Sequence, residues 1–284
     1  MQGKRLPNLR HNIDDGMSDF SLLSGFHVAE QAGIVSASSR GTVVSHGASH
    51  TKGAYTQLIA ATAKDADAIL VNARYTTKWN ALTDLAIGAA ASEQVIAANL
   101  MRTAWNGEIT SSHYLLPITI PAGTRLSARG QTDNSAAIDV WLHATLLTGG
   151  FRRASPLSQA LTFGADTAAT RGTPITSGAA NTKGSWVEFS ASLPNTLRGI
   201  LLAFGTNNTD KTATEDWLID VGIGAAASEV VVAPDIATTI TDLEICYPQT
   251  HYMPLELPAG QRLAVRGQSS VASAVLDVVI YGIF

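Results

Sequence analysis

Apolar and polar residues alternate along much of this chain with a period of two. Val187, Phe189 and Ala191 alternate with Trp186, Glu188 and Ser190. Ile138, Val140 and Leu142 alternate with Asp139, Trp141 and His143, and Leu276, Val278 and Ile280 alternate with Asp277, Val279 and Tyr281. Such runs predict strands with one face in a core and the other toward solvent or a partner. Residues 68–71 and 200–204 are apolar without alternation and predict central strands. Ile120-Pro121-Ala122-Gly123 and Leu257-Pro258-Ala259-Gly260 predict turns, because proline fixes φ and glycine supplies a positive φ. No long amphipathic helix is evident; short helical turns are expected at most at Ser92–Ala97 or near the N-terminus.

The same blocks occur twice, in the same order. Arg40-Gly41-Thr42 and Thr51-Lys52-Gly53 return as Arg171-Gly172-Thr173 and Thr182-Lys183-Gly184, 131 residues on. Asp84–Glu93 returns as Asp220–Glu229 at an offset of 136, and both end in Ile-Gly-Ala-Ala-Ala-Ser-Glu. Pro117–Leu126 returns as Pro254–Leu263, and Ala128-Arg129-Gly130-Gln131 as Val265-Arg266-Gly267-Gln268, both at 137; Asp139-Val140 matches Asp277-Val278 at 138. Units of about 40–147 and 171–284 are too long for a solenoid of short repeats, so each is a domain.

Seven or eight strands per unit with turn signals between them predict an all-β fold: two tandem antiparallel β-sandwiches of jelly-roll type, made by internal duplication. The expected division is an N-terminal arm over 1–24, a first sandwich over 25–148 and a second over 149–284. Gly25-Phe26 and Gly150-Phe151 are the expected entry points, giving each domain one further strand ahead of its Arg-Gly-Thr.

Composition narrows the function. Charged residues are 15% of the 284 and the net charge is −4, which gives no pull toward nucleic acid. No apolar run reaches the ~20 residues of a membrane span, and residues 1–20 lack the apolar stretch of a signal peptide. The single cysteine, Cys246, allows no intrachain disulfide and reads as a small buried hydrophobe. Catalytic signatures for hydrolases, phosphate-binding loops and zinc helices are absent, so no enzyme, cofactor or metal is expected. Glu93 and Glu229 read as carboxylates that satisfy a turn or pair with arginine. His46 and His50 read as an exposed loop pair, because Ser177 and Asn181 replace them in the second copy. Cross-strand pairs are expected between Arg129 and Asp139 and between Arg266 and Asp277. Trp79 and Trp105, in polar loop-like surroundings, are candidates for stacking on a glycan. The outer faces bearing Trp141, Val279 and Tyr281 are apolar enough to predict subunit contacts, and a closed homo-oligomer, a trimer or pentamer, is expected.

Residues 116–131, Leu-Pro-Ile-Thr-Ile-Pro-Ala-Gly-Thr-Arg-Leu-Ser-Ala-Arg-Gly-Gln, preceded by Ile87-Gly88-Ala89-Ala90-Ala91-Ser92-Glu93, resemble virion proteins of tailed bacteriophages. The likeness covers both repeats and implies a β-sandwich structural protein without catalytic residues. It implies placement in a virion assembled in the host cytoplasm, with other capsid or tail proteins as partners. A capsid-associated role (decoration, vertex or head fibre), anchored by the arm and sandwich edges, is the first expectation. A tail or baseplate component is the second, and a host-adhesion module that binds surface glycans is the third.

Overall fold

The computed structural model describes residues 28–34, 41–74, 80–102, 111–149, 157–165, 172–205, 214–240 and 251–284. The alternation over residues 138–148 becomes a single 11-residue strand in which Val140, Leu142, Ala144 and Leu146 are buried and Asp139 is exposed. Every regular element among the described residues is a strand.

Nine strands build the first sandwich: β1 (Val28–Ala32), β2 (Thr42–His46), β3 (Thr56–Ile59), β4 (Ala68–Arg74), β5 (Ala81–Ile87), β6 (Gln94–Arg102), β7 (Ser111–Leu116), β8 (Leu126–Thr132) and β9 (Ile138–Thr148). One sheet has the order β1-β9-β4-β7, with β2 following β1 along the same flank of β9; the facing sheet has the order β3-β8-β5-β6. The chain crosses between the two sheets at six of its eight connections, which is the winding of a jelly roll. The unalternating run 68–71 lies in β4, an interior strand, as expected.

The second sandwich repeats this plan with β10 (Ala160–Phe163), β11 (Thr173–Thr176), β12 (Val187–Ser190), β13 (Gly199–Gly205), β14 (Glu215–Ile223), β15 (Val230–Ile240), β16 (His251–Met253), β17 (Leu263–Ser269) and β18 (Val275–Ile283). Its sheets have the orders β10-β18-β13-β16, with β11 also on β18, and β12-β17-β14-β15. Each strand is the counterpart of the one nine places earlier, and β2–β9 and β11–β18 give each repeat unit eight strands, within the seven or eight expected. The additional strand foreseen ahead of each Arg-Gly-Thr is β1 in one copy and β10 in the other. Residues 25, 26, 150 and 151 lie outside the described residues.

Strand pairing fixes the correspondence between copies. Thr42 pairs with Leu142 and Thr173 with Val278, so β9 maps onto β18 at 136, not 138. Asp277 therefore answers to Trp141, and Asp139 to Val275. A two-residue slip keeps every side chain on the same face, which is why the Asp-Val match is misleading. The glycine of Arg-Gly-Thr explains the motif's retention in both copies. Gly41 (φ 128) and Gly172 (φ 124) are left-handed, and a Cβ on either would stand 2.8 Å from the carbonyl oxygen of Leu142 or Val278.

Two further expectations are corrected. Ser92–Ala97 forms no helical turn: Ser92 and Glu93 end the loop, and Gln94–Ala97 open β6, paired with β5. His46 closes β2 and is fully buried, with Nε2 2.9 Å from the Thr83 hydroxyl, so of the two only His50 lies in an exposed loop. Gly130 makes room for that imidazole: a Cβ there would overlap the His46 ring at 2.0 Å.

Candidate functional site

The charged residues that recur in both copies converge on each other. Asp84 on β5 stands opposite Arg129 on β8. Its carboxylate accepts from Arg129 Nε (3.1 Å), from Lys52 Nζ (2.8 Å) and from the backbone N–H of Asn99 (2.9 Å). Asn99 has a φ of 51 at a register shift between β5 and β6, and its side-chain oxygen also accepts from Lys52. The second copy reproduces the cluster: Asp220 accepts from Arg266 Nε (3.0 Å), Lys183 Nζ (2.7 Å) and the N–H of Asp235 (3.0 Å), whose φ is 50. Burial opposes ionisation of Asp220, but Lys183, the Asp235 N–H and Arg266 outweigh it and hold the carboxyl below its usual range. Burial lowers the Lys52 ammonium, an effect that Asp84 offsets in part.

A second recurring pair fastens the Ala-Ala-Ala-Ser-Glu turn. Arg125 donates to Glu93 (2.9 Å) and to the Gly88 carbonyl (3.2 Å); Arg262 donates to Glu229 (2.7 Å) and Glu188 (2.7 Å). Burial works against ionisation of Glu93 and Glu229, yet their own backbone N–H groups and the arginines hold both carboxyls low. These are the turn-and-arginine roles expected of the two glutamates. Carboxylates saturated in this way are poor general acids or bases and have little capacity left for a cation.

Each cluster is roofed by an aromatic ring. The Arg129 guanidinium lies 4.5 Å from the Tyr55 ring centroid, and Arg266 lies 4.5 Å from that of Trp186. The larger indole needs more space beneath it. Gly222 occupies the position that Ala86 has in the first copy, and a Cβ there would come within 2.6 Å of the Trp186 ring.

These contacts overturn the expected Arg129–Asp139 and Arg266–Asp277 pairs. Arg129 and Arg266 lie in the β8 and β17 sheets, whereas Asp139 and Asp277 lie on β9 and β18 in the facing sheets. Proximity in sequence suggested a hairpin, but the jelly roll sends β8 and β9 to opposite layers. Asp139 instead accepts from the Ser45 hydroxyl at 2.6 Å, and Asp277 is buried. Trp79, Trp105 and Cys246 lie outside the described residues.

The joint between the sandwiches was not foreseen as a site. β10 continues the β3-β8-β5-β6 sheet by pairing in parallel with β6 at Ala160 and Ala97, and thereby joins sheets of the two sandwiches into one. The outer face of β13 and β18 then lies against the edge of the first sandwich, where Leu201, Ala203, Val279, Tyr281 and Ile283 join its core. Side chains of the second unit meet the edge backbone of β6. Gln159 donates to the Val95 carbonyl (2.8 Å), Thr162 to that of Ala98, and Tyr281 to that of Asn99 (3.1 Å), while the Tyr281 hydroxyl accepts from the Met101 N–H (2.7 Å). Asn99 Nδ2 reaches the Ala165 carbonyl at 2.8 Å. Tyr281 is fully buried, packs edge-on against Tyr114 at 5.6 Å, and is held neutral because burial pushes its phenol far above the usual range. The outward Val279 and Tyr281 are thus covered inside the chain by its own first half. The apolar outer positions of β18 were a signal for such a contact, but not for which surface would fill it.

The corresponding face of the first sandwich is more polar. Asn72 on β4 sits between His113 on β7 and His143 on β9, and the His113 ring is hydrogen-bonded to the Asn72 side-chain oxygen. His143 Nδ1 is buried without a hydrogen-bond partner, and burial, with the nearby His113, lowers the pKa of the ring. Among the described residues no three His, Cys, Asp or Glu side chains gather as a metal site.

No protein-family model and no characterised protein sequence matches the chain. Among solved structures it is similar to PNGF-II (10% identity, TM-score 0.35, covering 94% of this chain and 62% of that one). It is similar to the tandem CBM22-1–CBM22-2 domains of Paenibacillus barcinonensis Xyn10C (10% identity, TM-score 0.27, 91% and 96% covered). It is also similar to the major capsid protein P2 of bacteriophage PM2 (8% identity, TM-score 0.30, 86% and 97% covered). Likenesses this distant carry no weight for function. The pairing of its own strands shows what the chain is: a duplicated, all-β, jelly-roll-like sandwich protein.

Proposed function

We propose that this chain is a non-enzymatic structural component of a phage particle, capsid-associated, which acts by presenting sandwich faces and edges to neighbouring virion proteins. The supporting observation is the joint. One sandwich lays an apolar sheet face over the open edge of another and satisfies that edge's backbone with Gln159, Thr162 and Tyr281. A fold that closes an apolar face over a sheet edge makes a single block for assembly. The charges retained in both copies are spent on fastening bulges and turns. The motif likeness to tailed-phage virion proteins supplies the setting.

Removing the gene and imaging the particles by electron cryomicroscopy tests the reading. Filled heads that lack defined outer density are expected. Intact heads with malformed tails would move the protein to the tail or baseplate, and unchanged particles would refute a virion role.

A further inference from the structure

The joint inside the chain uses one face and one edge, and each has a counterpart left over. The edge of β6 is taken by β10, but among the described residues its counterpart β15 ends the β12-β17-β14-β15 sheet. Val230 and Val231 there are 65% and 37% exposed. The face of β13 and β18 is covered, but among the described residues no second sandwich lies on the corresponding face of β4 and β9. We infer that a second copy of this chain docks there head to tail: the first-sandwich face of one copy covers the β15 edge of the next.

The correspondence between copies places suitable groups at both surfaces. Gln31 and Thr145 hold the positions of Thr162 and Tyr281, the residues that meet the edge carbonyls of β6. They are partly or fully exposed and hydrogen-bond to each other at 2.9 Å, so they can turn to new partners at little cost. The carbonyls they would meet are those of Pro234 and Asp235, which hold the places of Ala98 and Asn99. Proline lacks an N–H but keeps its carbonyl, so Pro234 still offers the acceptor. The parallel bridge between Ala97 and Ala160 has its counterpart in Ala233 and Ala29, and β1 of one copy would extend the β15 sheet of the next. Leu70 and Leu147 hold the places of Leu201 and Ile283, whereas Asn72 and His143 replace Ala203 and Val279. The contact between copies is therefore wetter and weaker than the joint within one. That suits a surface which must stay soluble until chains meet. Such a contact is heterologous, and it closes into a ring or runs on as a filament according to the rotation per step.

The contact forms in solution whether or not the chain belongs to a particle, so purified full-length protein is the test. Sedimentation over a range of concentrations should show stepwise multimers. Thr145→Arg on the face and Val231→Arg on the edge should each weaken association about a hundredfold, the effect of a charge buried without a partner. Mixing the two variants should restore a discrete one-to-one dimer, because each retains the surface the other has lost. Circular dichroism and melting temperature show that each variant is folded. A wild-type chain that stays monomeric throughout would overturn the inference. So would variants that associate as well as the wild type, or a mixture that forms no dimer.

Discussion

Replacing Tyr281 by Phe removes one oxygen from the joint and leaves the ring in place. The apolar burial and the edge-on contact with Tyr114 are retained, so no cavity forms. What is lost is the acceptor for the Met101 N–H and the donor to the Asn99 carbonyl. Met101 is buried, so its stranded N–H costs about 1–3 kcal/mol. Asn99 is half-buried and water can reach part of its surroundings, so its carbonyl adds at most about 1 kcal/mol. A loss near 2 kcal/mol lowers the melting temperature by roughly 4–8 °C in a protein of this size. Urea unfolding followed by tryptophan fluorescence and circular dichroism measures it. A loss of cohesion between the sandwiches would also separate the two probes' transitions. A variant within about 0.5 kcal/mol of wild type, below the usual range for a buried unpaired donor, would show that the hydroxyl does not hold the joint.

Asp84→Ala strands Lys52, Arg129 and the Asn99 N–H and should cost about 3 kcal/mol, whereas Asp139→Ala, at an exposed site, should cost under about 1 kcal/mol; equal losses in urea titrations would reject the strand-layer assignment. Gly222→Ala should destabilise by about 1–2 kcal/mol through overpacking against Trp186, and adding Trp186→Tyr should recover most of the loss, as the first copy's Ala86 and Tyr55 imply; a double-mutant cycle without coupling would refute this. The depressed carboxyls of Glu93, Asp220 and Glu229 contribute stability that is present above the ordinary carboxylate range and lost as pH falls through their lower folded values. Melting temperature followed from pH 5 down should therefore drop, and Glu93→Gln with Glu229→Gln should flatten the drop. His143 is likewise depressed, so its contribution is present above about pH 6.5 and fades below it as the unfolded chain takes up the proton first. Nuclear magnetic resonance titration should place its midpoint below that of a free histidine, and His113→Gln should raise it.

The sequence by itself determined the fold class and the duplication. Alternation of period two leaves only sheets, and blocks such as Ile-Gly-Ala-Ala-Ala-Ser-Glu recur because each copy needs the same turn fastened by the same arginine. Local chemistry was legible wherever partners were set by backbone geometry: the glycine of Arg-Gly-Thr, the proline–glycine turns and the glutamates at their turns. Only the tertiary structure decided who meets whom across layers. Asp84 rather than Asp139 pairs with Arg129 because a jelly roll sends successive strands to opposite sheets, and sheet order leaves no trace in a strand's own alternation. The same limit hid the joint: an apolar outer face on β18 announces that something covers it, but the identity of the cover depends on how two sandwiches pack, a property of surfaces far apart along the chain.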